Sequence, residues 1–377
     1  MKVLIVRVGA MGDVLHALPA LAALRAARLE WTIDWVVDPR WSPLLVDNEG
    51  RGPVVNRVHL AETRLWNSRP WSPATLRSVL ALWRALRAEQ YDLVVDMQGT
   101  LRSAVIGWMA GAKIFAGYAD PRERLARWFY SEAMERLAVP PGLKPLSNNA
   151  LDGGTEVPPL QNTPDDRADT LPLQNTHVVE QGVALLGEAC GVELTPVPFA
   201  LPRQDWAERW AETEAVISRP LCLLGAGGGW GAKQWPVERY GALANQLRGL
   251  GLDVAVNAPR QDDAVANAVV AASEGAARLI VCNVAGLVAL LRRTDVFIGG
   301  DTGPLHLAAA LAVPVVALFG PTDPARNGPW GPGPMRVLRD AASVTSYKRT
   351  AETEAGLARI SVDDVVAAVR ALGFDEL

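Results

Sequence analysis

Short, almost wholly apolar runs alternate with stretches whose apolar residues recur every three or four positions, and the alternation occurs twice. Before residue 140 it reads KVLIVRVG, DVLHALPALAALRAAR, WTIDWVVD, VVNRVHL, TLRSVLALWRALRAE, YDLVVDMQG and LRSAVIGWMAG. A helical stretch, HVVEQGVALLGEACG, then closes the first unit, and VELTPVPFALP reads as an extended connector. Beyond it come PLCLLGAGGG, VERYGALANQLRGLG, DVAVNAP, DDAVANAVVAAS, RLIVCN, LVALLRRT, DVFIGGD, PLHLAAALA and VPVVALFG. Strands that are apolar on both faces and separated by helices suit a parallel sheet covered on both sides. The pattern therefore predicts an α/β chain of two doubly wound domains facing each other across a cleft. Ligands are expected at the carboxyl ends of the strands.

Between Lys144 and Thr176 the alternation stops, and PLQNT occurs twice, at 159–163 and 172–176. A stretch so rich in Pro, Asn, Thr and Asp buries too little apolar surface to offset its ordering entropy, so a flexible insertion is expected. The predicted domains are 1–192, carrying the insertion at 144–176, and 193–360. Residues 361–377 hold an amphipathic helix with Ser361 as its N-cap, expected to pack back on the first domain.

Composition narrows the chemistry. Cys190, Cys222 and Cys282 are far apart and form no CxxC, which points to neither a disulfide framework nor a zinc site. His16, His59, His177 and His306 are scattered, so no multi-histidine metal cage and no cofactor are expected. The start, MKVLIVRVGAMGDV, is broken by Arg7 and Asp13 and does not read as a signal peptide. The longest apolar run, Leu305 to Gly320, falls short of the ~20 residues of a membrane span. A cytoplasmic, soluble chain is expected. No nucleic acid partner is expected. Residues 1–140 nevertheless carry 18 Lys+Arg against 14 Asp+Glu, which suits an anionic ligand for the first half.

Three strand-to-helix junctions in the second half carry candidate chemistry. GAGGGWGAKQWP leaves backbone amides of Gly228 and Gly229 open to a phosphate, with Lys233 as a point charge and Trp230 and Trp235 as a platform. It is not a Walker A loop, because Gln-Trp follows Lys233. In NAPRQDDA, Gln261 or one of Asp262 and Asp263 could accept from ribose hydroxyls, or cap the next helix. GGDTGPLHLAAAL places Gly303 and Pro304 where a helix starts, so its first amides favour an anion. Thr302 and His306 could add donors, and Asp301 is expected to fix the loop by accepting amide bonds. These groups look arranged around a diphosphate.

In the first half, Gly9 and Gly12 give GxxG rather than the dinucleotide fingerprint GxGxxG, which argues against an NAD-dependent oxidoreductase. Asp13 follows at the strand-to-helix turn, where as a lone feature it reads as a helix N-cap. No DxD occurs, so charge on a departing diphosphate would fall to Lys233 and helix amides.

In order along the chain, RVGAMGDVLHALPAL, WVVDP, YDLVVDMQG, KQWP, GDTGPLHLAAAL and FGPTDP resemble glycosyltransferase family 9, the bacterial heptosyltransferases. The likeness is strongest to its members in lipopolysaccharide core assembly. The resemblance implies a GT-B fold and an inverting, metal-independent transfer. The donor it implies is ADP-L-glycero-β-D-manno-heptose on the second domain. The implied acceptor is Kdo on lipid A, bound by the first domain at the cytoplasmic face of the inner membrane. Asp13 matches the family's catalytic base, and Arg64, Arg69, Arg102 and Arg122 fall where the family gathers acceptor-binding cations. Gly9 and Ala10 stand where serines are usual, and Gly228 and Gly229 where hydroxyl-bearing residues are common. A ribose-holding glutamate is represented only by the run Gln261, Asp262 and Asp263. The alternatives are a family 9 transferase with another donor or acceptor, and a nucleotide-diphosphate-sugar binding protein without turnover.

Overall fold

The structure, a computed structural model, describes residues 1–136, 176–213 and 220–375. Apart from Thr176, the insertion expected at 144–176 lies outside the described residues. The first half runs β1 (Lys2–Val6), α1 (Met11–Ala27), β2 (Thr32–Val37), β3 (Arg57–Leu60), α2 (Thr63–Ser68), α3 (Pro73–Glu89), β4 (Leu93–Asp96), α4 (Leu101–Ala110), β5 (Ile114–Tyr118), β6 (Glu132–Met134) and α5 (Val178–Cys190). The second runs α6 (Asp205–Thr213), β7 (Leu221–Gly225), α7 (Val237–Gly249), β8 (Asp253–Ala258), α8 (Ala264–Ala272), β9 (Ala277–Val281), α9 (Val284–Leu291), β10 (Val296–Gly300), α10 (Gly303–Ala310), β11 (Val315–Phe319), α11 (Pro324–Asn327), β12 (Met335–Arg339) and α12 (Val362–Arg370).

These strands form two six-stranded sheets, ordered β3-β2-β1-β4-β5-β6 and β12-β11-β10-β7-β8-β9. Both are parallel throughout. The expected doubly wound pattern is present in each. The order in which successive strands are added across the sheet reverses between β1 and β4 in the first and between β7 and β10 in the second. In open parallel sheets such switch points leave a crevice at the strands' carboxyl ends. The loops that follow β1, β7 and β10 at these switch points carry three of the candidate motifs, and NAPRQDDA follows β8.

Helix α1 is apolar nearly all round, which marks a helix covered on several sides. It lies on the first sheet and packs against α5 and against α10 of the second half. Val14, Leu18 and Leu21 are almost wholly excluded from solvent, in one core with Leu305 and Leu307 of α10. By contrast α3 buries only Thr75, Leu82 and Leu86 and leaves its other side wet.

Six elements escape the periodicity argument. β5 carries a glycine, β6 has 3 residues, β12 is an edge strand with arginines at 336 and 339, α6 is short and polar, and α2 and α11 have only 6 and 4 residues. The C-terminal helix also corrects an expectation. Ser361 caps α12, accepting from Asp364 N at 3.1 Å. The helix then packs on α7, β11 and β12 rather than returning to the first half. Its apolar stripe, Val365, Val366, Ala368 and Val369, completes a core with Leu247 and Leu318. Burial of each such valine contributes ~1.5–3 kcal/mol, reason enough for the helix to stay there.

Candidate active site

Asp13 sits on the first turn of α1, at the switch point of the first sheet. Ala10, not Asp13, occupies the N-cap position, so the cap reading is corrected. Asp13 instead reaches back to accept from Ala10 N at 3.2 Å and forms an ion pair with Arg7 at 2.9 Å. Its side chain is 38% exposed, open enough to meet a ligand. Arg7 is held in turn by donating to the carbonyl of Met97, at the end of β4. Sequence reasoning passed over Arg7; its one signal is a cation that ends a buried apolar strand.

Across the seam, the loops after β7 and β10 meet. Lys233 Nζ lies 2.5 Å from Asp301 Oδ2, and His306 Nε2 donates to Asp301 Oδ1 at 3.0 Å. Asp301 therefore accepts from two side chains, not from the amides expected. Burial opposes its ionisation, but the His306 hydrogen bond and the Lys233 ammonium outweigh it and hold the carboxyl well below the usual carboxylate range. Lys233 also stands over the Trp230 ring, 4.5 Å from its centroid. It is a braced cation rather than a free one. Trp235, expected beside it as a platform, is instead core: its Nε1 donates to Ile360 O at 3.0 Å and its ring packs edge-on to Tyr240.

The rest of the anion cradle is mixed. Thr302 occupies the N-cap position of α10 but makes no side-chain cap bond; its hydroxyl donates to Gly300 O at 3.2 Å. Gly229 opens onto free space, whereas a methyl at Gly228 would lie 2.6 Å from Gln234 Cγ. Asp263, not Gln261 or Asp262, caps α8, accepting from Ala266 N at 3.1 Å. Gln261 and Asp262 are exposed beyond β8, with Asp262 beside Arg260. A segment not foreseen lies against the glycine-rich loop: Ala232 N donates to Thr350 O at 3.2 Å, and Arg349 stacks over Trp230.

The two halves touch where these groups converge. A methyl at Gly12 would lie 2.9 Å from His306 Cδ2, and one at Gly303 would lie 2.7 Å from Met11 Cβ. The close approach that Gly303 permits is thus to the opposite helix. Asp13 follows directly on this contact. Gly12→Ala or Gly303→Ala should force α1 and α10 apart and cost ~1–3 kcal/mol in urea unfolding, the usual scale of overpacking.

Three histidines expected to be scattered meet at this seam. The His16 ring lies 4.4 Å from His306 and 5.6 Å from His177, both edge-on. His177 is a helix cap: Nδ1 accepts from Val179 N at 3.2 Å while Nε2 donates to Gly328 O at 3.1 Å. Only the neutral ring can do both. Burial drives His177 down to about 4. Burial first, then His306, His177 and Arg7, push His16 well below its ordinary value against the pull of Asp301. Both rings titrate near 6.5 when unfolded, so below about pH 6.5 the unfolded chain binds more protons and stability is lost as the pH is lowered towards 4. His177 alone accounts for up to about 3 kcal/mol of that loss. His177→Gln should flatten the urea midpoint against pH across this window.

The arginines expected to meet an acceptor, Arg64, Arg69, Arg102 and Arg122, are all exposed. They follow the carboxyl ends of β3, β4 and β5. Arg102 donates to Asn67 Oδ1 of α2 at 2.7 Å, and Leu101 N donates to Glu123 at 2.8 Å, so the three loops abut. A cavity of about 540 Å³ opens at the other end of this sheet, lined by Met1, Asp92, Ile114 and Glu188. It holds none of the expected site residues.

The profile of glycosyltransferase family 9 (heptosyltransferase) matches residues 79–144 and 151–355. The chain belongs to that family. It is therefore a glycosyltransferase. Lipopolysaccharide heptosyltransferase 1 of Pseudomonas aeruginosa is 29% identical over 364 residues, 93% of this chain and 87% of that protein. The Escherichia coli K12 protein of the same name is 28% identical, covering 89% of this chain and 92% of its own. E. coli heptosyltransferase WaaC with ADP superposes with a TM-score of 0.74 at 22% identity, covering 99% of this chain and 100% of that one. The same enzyme with ADP-2-deoxy-2-fluoro heptose gives 0.69, covering 98% and 99%. The fold of this family 9 chain is GT-B, as the resemblance implied.

Proposed function

We propose that this family 9 enzyme transfers heptose from ADP-L-glycero-β-D-manno-heptose to a Kdo hydroxyl of the lipopolysaccharide inner core, with inversion and without a metal. The observation that carries the reading is the seam itself. A partly exposed carboxylate follows Gly12, which touches His306 of the other half, and His306 shares Asp301 with a braced lysine. Asp13 takes the proton of the acceptor hydroxyl as its oxygen bonds to the anomeric carbon. The bond from that carbon to the β-phosphate oxygen breaks, and its electron pair leaves with ADP. Lys233 has three donors and commits them only partly to Asp301, so an N–H remains for the departing phosphate. The Gly303 amide at the start of α10 and the amides beside Gly229 share that charge. Gln261 and Asp262, exposed beyond β8, are proposed for the ribose. Arg64, Arg69, Arg102 and Arg122 are proposed for the acceptor's carboxylates and phosphates, which suits the basic first half. The relatives' names, heptosyltransferases of lipopolysaccharide, support a heptosyl donor and a lipopolysaccharide acceptor.

Transfer from ADP-heptose to Kdo-lipid A should survive excess EDTA. Complete loss of turnover on chelation would overturn the metal-free step. In a thermal-shift panel of ADP, UDP and GDP, ADP should give the largest rise, since a ligand stabilises by mass action. A larger rise with UDP or GDP would overturn the assigned donor.

A further inference from the structure

The outer face of the first half carries an unabsorbed pattern. Helices α3 and α4 and the 3-10 turn Arg124–Phe129 all cover the sheet face away from α1, as right-handed crossovers require. Their inner sides share one core, with Leu82, Leu86, Ile106 and Ala126. Their outer sides are apolar too. On α3, Leu76, Leu80 and Trp83 are exposed at a spacing of four and three. On α4, Leu101, Val105 and Trp108 repeat that spacing, also exposed. The loop before α3 offers Trp71, 96% exposed, and the 3-10 turn offers Trp128, 84% exposed. An apolar stripe on both sides of a helix layer is unusual where the outer side meets only water.

Charge identifies the occupant. From Thr63 to Ala88 the chain carries five arginines and not one Asp or Glu. Exposed tryptophans among arginines suit the interface of an anionic bilayer, where indoles settle at headgroup depth and guanidinium groups meet phosphates. Two copies of this chain joined through the same face would set arginine against arginine. We infer that the α3–α4 face, with Trp71 and Trp128, is a docking surface for an anionic lipid bilayer. The inference rests on the reading of the acceptor as a lipid-linked sugar. It adds which face meets the membrane: the one whose loops carry Arg64, Arg69, Arg102 and Arg122.

The test is vesicle co-sedimentation of the full chain. Phosphatidylethanolamine–phosphatidylglycerol vesicles are compared with phosphatidylcholine vesicles. Wild type should bind the first, release on added salt and leave the second alone. Trp71→Ser/Trp128→Ser and Arg77→Glu/Arg84→Glu should each weaken binding by ~10-fold or more. Both variants should keep the ADP thermal shift and full turnover on a delipidated, water-soluble acceptor. Failure of wild type to bind, equal binding by the variants, or equal binding to phosphatidylcholine would overturn the proposal. So would a wild-type dimer in solution that either variant dissociates, since the face would then join copies of the chain. If wild type fails to use the soluble acceptor yet binds vesicles as expected, the assigned reaction falls and the docking surface stands.

Discussion

Asp13→Asn is expected to lower kcat by ~10²–10⁴-fold while the ADP thermal shift stays unchanged, the loss usual for a positioned base. Asparagine keeps the shape of the side chain and an oxygen to accept from Ala10 N, so the start of α1 survives. What it gives up is the capacity to take a proton. The lost ion pair with Arg7 is partly exposed and is worth little to stability. Steady-state rates at saturating donor, with the denaturation midpoint as a control, check both halves of the expectation. Turnover above a tenth of wild type would remove Asp13 from the chemistry.

Lys233→Met should be costly in two separate ways. Asp301 would keep its His306 partner but lose the ammonium at 2.5 Å, while remaining almost buried. Removing one member of a buried pair costs about 3–5 kcal/mol, because the other charge stays behind unpaired. A urea titration reads this directly. Turnover should fall as well, by ~10²–10³-fold, the scale for one lost donor to developing charge. The two effects separate in the double variant Lys233→Met/Asp301→Asn. It should regain much of the stability, since no unpaired carboxylate remains, and none of the activity. A single variant less than ~1 kcal/mol weaker than wild type would show that Asp301 does not depend on Lys233.

The pattern of apolar runs was enough to read the two parallel sheets, because a strand covered on both faces has few other sequences open to it. It was weakest at β5, β6 and β12, where a glycine, a length of 3 residues and edge arginines dilute the signal. Among the candidate site residues, Asp13, Lys233, Asp301 and His306 were singled out on motif chemistry; the structure joins the last three directly and sets Gly12, the neighbour of Asp13, against His306. Their partners were not. Whether Asp301 accepts from amides or from side chains depends on loops 68 residues apart in the chain. Trp235 and Trp230 look alike in sequence, yet one is 2% exposed and the other stacks on Lys233. The meeting of His16, His177 and His306 depends on how two domains pack, which local periodicity does not encode. The direction taken by α12 is the same kind of case: its stripe states that it must be covered, not by what.

The seam between α1 and α10 has one further consequence. Asp13, the proposed proton acceptor, rides one residue past Gly12, with no flexible joint between them, so any rolling of one lobe over the other would be levered straight onto it. An enzyme gaping to admit substrates or shed ADP would for that interval have withdrawn its base from the anomeric carbon. Such a molecule idles while ajar, and the activated sugar is spared when only water is there to receive it.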